Sequence, residues 1–197
     1  MLFIQLGIFL AFSHGSPSTN VECQYDRSKM LALDQTAFDQ DMNGGWRQIA
    51  KAGCDLVAAD LIEDWRIFNG ISSSTLFWHE GQLRAAAGQS TAAAILLERA
   101  RKPDSEDAGW GWNFYVDGTI AFLSGDKAAL VIAREKLSKL PEHEGLKDMK
   151  DVHGNPAKIK WPMNLHVLDG FIHCWGQSYK EAYACPLPTT AESKRPP

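Results

Sequence analysis

The sequence predicts an all-α fold of about four antiparallel helical hairpins stacked side by side, and three observations predict it. A motif recurs along the chain: a bulky apolar stretch, an acid, a glycine, about six mostly apolar residues and a second glycine. It runs from Leu76 to Gly88, from Asn113 to Gly125 and from Leu165 to Gly176, and the interval from Gly81 to Gly118 equals that from Gly88 to Gly125. The first two copies are each followed by an Ala-rich, amphipathic segment with a basic end and a proline stop, Gln89–Ala100 before Pro103 and Asp126–Leu137 before Pro141. No segment sustains the alternation of a β-strand.

In chain order, Met1–Phe12 is almost wholly apolar and is followed by Ser13-His14-Gly15-Ser16. Such a run is too short to span a bilayer and fits the apolar core of an export signal over 1–15, cut after Gly15, although no Lys or Arg precedes it. No stable membrane span is expected in the mature chain. A helical-repeat domain is expected over 30–185, with hairpins at 35–68, 75–102, 110–140 and 162–185. Its first unit is degenerate: Gly44–Gly53 ends on a glycine, and Cys54–Arg66 follows as a strongly amphipathic helix. In the second and third units the second glycine is the C′ residue of one helix, and the next helix starts almost at once, which forces the pair antiparallel. The connection between Pro141 and Trp161 is long enough to be functional or mobile, and it either folds over the binding groove or stands as a solvated insertion. The tail 186–197, with Pro186, Pro188, Pro196 and Pro197, reads as disordered.

Composition narrows the function classes. A net charge of −4 with no basic patch argues against nucleic acid as a partner. Seven Trp residues require most of them to be buried or at an interface. The cysteines Cys23, Cys54, Cys174 and Cys185 are compatible with two disulfides in an oxidising compartment; three pairings are open, and free buried thiols are the alternative. A Cys174–Cys185 bond would staple the end of one helix to the end of the next.

The pattern resembles the tetratricopeptide-repeat family. Gly81 matches the small residue of the first helix, Gly88 the inter-helix turn, Ala93 the small residue of the second helix, and Ala100 and Pro103 the end of the repeat. Phe114, Gly118, Gly125 and Pro141 match in the next unit, where Leu130 and Leu137 replace small residues; Gly53 and Ala58 match in the first, with Trp46 at the small position. The match is detailed only over 75–141. It departs consistently at Glu80, Asp117 and Asp169, where the family usually carries an apolar residue. The resemblance implies a superhelix with the first helices lining a concave face.

Candidate chemistry is sparse. In a stack of hairpins Glu80, Asp117 and Asp169 form a ladder, not a cluster, at spacings of roughly 10–20 Å. Each then accepts hydrogen bonds locally or pairs with a base such as Arg84, or the three make a polar seam on a ligand-binding face. His166, Asp169 and His173 share a helix face, but the histidines stand about 10 Å apart along it, too far for one metal. His79-Glu80 does not extend to a zincin motif, because Leu83 stands where the second histidine is needed. The aromatic patch Gly109–Tyr115 either lines a recognition surface or fills the core.

These readings lead to the expectation of a non-catalytic scaffold without metal or cofactor, acting outside the cytoplasm on a protein or peptide partner. Its partner surface is expected at Trp78, His79, Gln82, Trp112, Asn113, Tyr115, His166 and His173. The rival is a small-ligand or metal-binding protein, or an enzyme, that uses the face formed by Glu80, Asp117, His166, Asp169 and His173.

Overall fold

The computed structural model describes residues 23–151 and 153–187. The expected export signal and all but two residues of the expected tail lie outside them. The described residues hold ten α-helices and no β-strand, with a single bridge between Lys150 and Pro156. In chain order the helices are α1 Arg27–Leu31, α2 Gly45–Lys51, α3 Asp55–Asn69, α4 Ser74–Ala86, α5 Ser90–Arg99, α6 Asp104–Asp107, α7 Trp112–Leu123, α8 Lys127–Ser138, α9 Leu165–His173 and α10 Tyr179–Tyr183. A π-helical turn over Thr36–Gln40 precedes α2, and a 3-10 turn over Glu144–Asp148 lies between α8 and α9.

The helices pair as α2/α3, α4/α5, α7/α8 and α9/α10, and successive pairs touch through α3–α4, α5–α7 and α8–α9. One turn geometry joins the first three pairs. Gly53, Gly88 and Gly125 adopt φ of +83°, +82° and +72°. The next N–H in each case donates to the carbonyl five residues back: Cys54 to Ile49, Gln89 to Arg84 and Asp126 to Ala121. This closure satisfies carbonyls that the ending helix leaves unpaired, and it reverses the chain within two residues.

Glycines inside the first helices mark close approaches. A Cβ on Gly81 would lie 2.9 Å from Leu97 of α5, and one on Gly170 2.9 Å from the Ala182 carbonyl oxygen of α10. Both contacts are with the glycine's own hairpin partner. Gly118 differs, since its Cβ would meet Leu168 of α9 at 2.7 Å.

Two apolar clusters form the core, and α4 divides them. Leu76 and Leu83 face Phe38, Trp46, Ile62 and Trp65 on one side; Phe77 and Trp78 face Leu97, Tyr115, Leu168 and Phe171 on the other. All seven Trp are buried or partly buried.

Three regions depart from the even pattern. The first hairpin does not run helically from residue 35: the chain makes its π turn, then a loop, and enters α2 at Gly45 with φ +51°, where a Cβ would collide with the Phe38 carbonyl. The long connection is held against the 108–112 segment. His143 stacks on Trp110 with centroids 3.8 Å apart, and Trp161 donates from Nε1 to the Leu140 carbonyl at 3.1 Å. In the fourth hairpin, α10 turns back and packs against α4 as well as α9. Two disulfides, Cys23–Cys54 and Cys174–Cys185, leave no free cysteine among the described residues.

Candidate functional site

The three acids that precede a glycine are each paired with an arginine from the hairpin before. Glu80 Oε2 accepts from Arg66 Nε at 3.1 Å and from its NH2 at 2.5 Å, and Oε1 accepts from Arg84 Nε at 3.1 Å. Asp117 accepts from Arg101 at 2.5 Å and Asp169 from Arg134 at 2.7 Å. Arg84 extends the first pair outward to Asp60 and Glu63 of α3 at 3.1 and 2.8 Å. Burial would weaken the Arg84 proton, but Glu80, Asp60 and Glu63 more than offset it and hold the guanidinium charged. The Phe77 ring contacts two cations, with Arg66 4.2 Å and Arg99 3.9 Å from its centroid. Each acid therefore fastens one hairpin to the next.

A second polar cluster was not legible in the sequence. The π turn carries Asp39 to full burial, where its Oδ1 accepts from His79 Nδ1 at 2.7 Å and from Trp46 Nε1 at 2.9 Å. Its Oδ2 accepts from Gln40 at 2.6 Å, and Arg47 donates to its backbone carbonyl. Burial pushes the Asp39 carboxyl up, yet the hydrogen bond and charge of His79, the Trp46 N–H and the Arg47 charge outweigh it and hold it below the ordinary range. No local spacing could reveal this site, because His79 lies on α4, forty residues along the chain. The only local signal is the glycine pair Gly44-Gly45, where α2 starts with φ +51° so close to the turn that a Cβ on Gly45 would collide with the Phe38 carbonyl.

The expected partner residues divide by burial. Trp78 and Tyr115 are 5% and 2% exposed, packed on each other with ring centroids 4.7 Å apart, so in this structure both are core residues and neither presents a surface. Trp112 is partly buried and donates to the Ala100 carbonyl at 2.8 Å, while Asn113 exchanges two hydrogen bonds with the Lys102 backbone at 3.0 and 2.8 Å. The Gly109–Tyr115 patch thus joins the second hairpin to the third. His79 is held by Asp39, and Gln82 donates to the Tyr179 hydroxyl at 3.4 Å. His166 and His173 are exposed.

Over this face lies α10. Tyr179 is buried against Phe171 and Phe122 at centroid distances of 5.5 and 6.4 Å, and Lys180 reaches Asp55 at the start of α3 at 2.8 Å. Burial raises the Tyr115 hydroxyl well above the ordinary phenol range, reinforced by Tyr179 and Tyr183. Tyr179 is raised as well, by burial. A cavity of about 520 Å³ opens beside the α9–α10 turn, lined by Ala86, Phe122, Trp175, Ser178 and Tyr179 among others.

Among the described residues no three His, Cys, Asp or Glu side chains converge as a metal site, and no helix is long and apolar enough to cross a membrane. No protein-family model matches the chain, and neither a curated protein nor a solved structure matches it significantly.

Proposed function

We propose that the protein is a non-catalytic helical-repeat scaffold, tetratricopeptide-like in arrangement, that is exported and binds a protein or peptide partner. The observation that carries this reading is the contrast between its acids and its outer surface. The carboxylates that would do chemistry are engaged by arginines between hairpins, while large apolar side chains stand in solvent on three successive second helices. Ile67 and Phe68 on α3 are 71% and 67% exposed, and Ile95 on α5 and Ile132 on α8 are 61% and 54% exposed. Ile95 and Ile132 both fall seven residues after the turn glycine, so they occupy the same place on their helices. Exposed apolar groups recurring at one repeat position suit association with another protein. Export is supported by the apolar leader and by two disulfides, which persist in oxidising compartments.

The test is affinity capture from the exported fraction with the wild type and with an Ile67→Asp/Phe68→Asp variant, whose fold is checked by circular dichroism. A partner retained by the wild type and lost by the variant supports the reading. A saturable small molecule or metal measured by calorimetry, and lost on His166→Ala/His173→Ala, overturns it in favour of ligand binding.

A further inference from the structure

We propose that the cleft between α4, α7 and α9 is a seat for a short amphipathic helix of a partner, and that α10 is the chain's own resident of that seat. This inference rests on the scaffold reading above and names where the partner docks.

The seat is built by Gln82 and Ala86 of α4, Tyr115 and Phe122 of α7, and Phe171 of α9. What it recognises is written in α10. Tyr179 and Ala182 are buried in it, Tyr183 is half-exposed at its edge, and Lys180 leaves it to pair with Asp55. Tyr179 and Tyr183 stand four residues apart on one helix face, with centroids 5.7 Å from each other and 5.5 and 6.4 Å from Phe171. The small Ala182 lets its backbone come against Gly170, where a Cβ would lie 2.9 Å from the carbonyl oxygen. The pattern accepted is therefore an aromatic residue, a base, any residue, a small residue and a second aromatic, presented as a helix.

Two observations mark α10 as a poor fit to a larger site. It has only five helical residues. Cavities also remain on both sides of it, the one of about 520 Å³ at its N-terminal turn and one of about 220 Å³ between Gln82, Leu83, Ala86, Lys180 and Tyr183. The short helix stays because it is tethered: Cys174 and Cys185 bracket α10 in a closed loop with a sequence separation of 11. A loop of this size favours the closed state by about a hundredfold through chain entropy. The capping box of Ser178 and Glu181 starts the helix inside that loop.

The experiment uses the full chain with Cys174→Ser/Cys185→Ser, leaving Cys23–Cys54 intact. The expected result is amide exchange in 179–183 at least tenfold faster than in the wild type, with α4 and α5 unchanged. A fluorescein-labelled peptide of residues 177–186, carrying Ser in place of Cys185, then binds the variant at least tenfold more tightly than the wild type, and the same peptide with Ala182→Arg does not bind. Unchanged exchange, or an opened variant that takes no peptide, overturns the proposal. A concentration-dependent dimer on gel filtration also overturns it, because the seat would then take α10 of a second copy and not a partner helix. These failures leave the capture experiment standing, since that one probes Ile67 and Phe68, which are not in the cleft; loss of capture with peptide binding intact would fault the outer-surface reading alone.

Discussion

The seam between the first and second hairpins and the seam between the second and third start from one sequence device and finish differently. Arg66 and Arg101 each stand thirteen residues after a turn glycine, and each meets the acid before the next glycine, Glu80 or Asp117. In the first seam the acid is 1% exposed and its arginine 9%; in the second they are 39% and 32%. The cause lies in helix length. α3 continues through Asn69, so Arg66 is still on a helix face directed at α4. α5 ends at Arg99, and Pro103, which disfavours helix at Lys102 and has no N–H to return to the Arg99 carbonyl, keeps the helix from continuing, so Arg101 falls in the connecting loop at the rim. The third pair follows a different register again: Arg134 is nine residues after Gly125, so Asp169 meets α8 one turn nearer its start. One ion pair can thus be a buried joint or a surface clasp, depending on where a proline stops the preceding helix.

The largest effect should come from breaking the buried joint. Glu80→Ala leaves Arg66 buried without its counter-charge, which costs about 3–5 kcal/mol. For a chain of this size that lowers the thermal midpoint by roughly 6–20 °C. The double replacement Arg66→Met/Glu80→Leu should recover most of the loss, because it removes both charges and keeps the volume. If Glu80→Ala melts within about 2 °C of the wild type, the joint contributes nothing and the contrast between the seams fails.

Close packing offers the next test. Gly118→Leu forces a side chain onto Leu168 and should cost about 3 kcal/mol by overpacking. Gly118→Ala meets only the flexible end of Leu168, which can turn aside, and gains helix propensity of about 1 kcal/mol, so it should be close to neutral. Gly170→Ala meets a backbone oxygen that cannot move, and should be the worse of the two alanine variants. Denaturant melts rank all three. The opposite order for the alanines would mean that the α9–α10 contact is looser than the α7–α9 contact.

How far these features could be read from the sequence depends on how local their causes are. The turns at Gly88 and Gly125, the helices around them and the pairing of an acid with Arg84 follow from spacings of a few residues, and they were legible. The site of Asp39 was not, since its partners arrive from α2 and α4 by tertiary packing alone. Trp78 and Tyr115 were expected at a surface because the first helices were expected to line an open face; α10 covers that face, and no sequence periodicity encodes a helix folding back across it. The Cys174–Cys185 staple was foreseen as one pairing among three, and only the structure shows that it encloses the covering helix.

Asp39 extends the comparison to pH. Its carboxyl is held below the ordinary value of about 4, so its contribution to stability is complete above that pH and is lost as the pH falls through the folded value. Asp39→Asn should therefore be less stable than the wild type near neutrality, and the gap between their thermal midpoints should close between about pH 5 and about pH 2. A gap that stays constant over this range would show that the cluster is held by shape and neutral hydrogen bonds, with no contribution from charge.

The smallest effect should come from the surface clasp, and it is the most discriminating. Asp117→Ala removes a pair in which both partners are about one-third exposed, so solvent already screens it, and the cost should be at most about 1 kcal/mol. Raising the salt concentration should shrink that cost further, whereas the cost of Glu80→Ala should hardly change, because mobile ions cannot approach a buried joint. Measuring both variants at low and high salt separates the two seams without reference to absolute stability. Equal salt sensitivity would mean that Arg101 folds over Asp117 in solution and shelters it as fully as α3 and α4 shelter Glu80, and the proline-stop account of the difference would then be wrong.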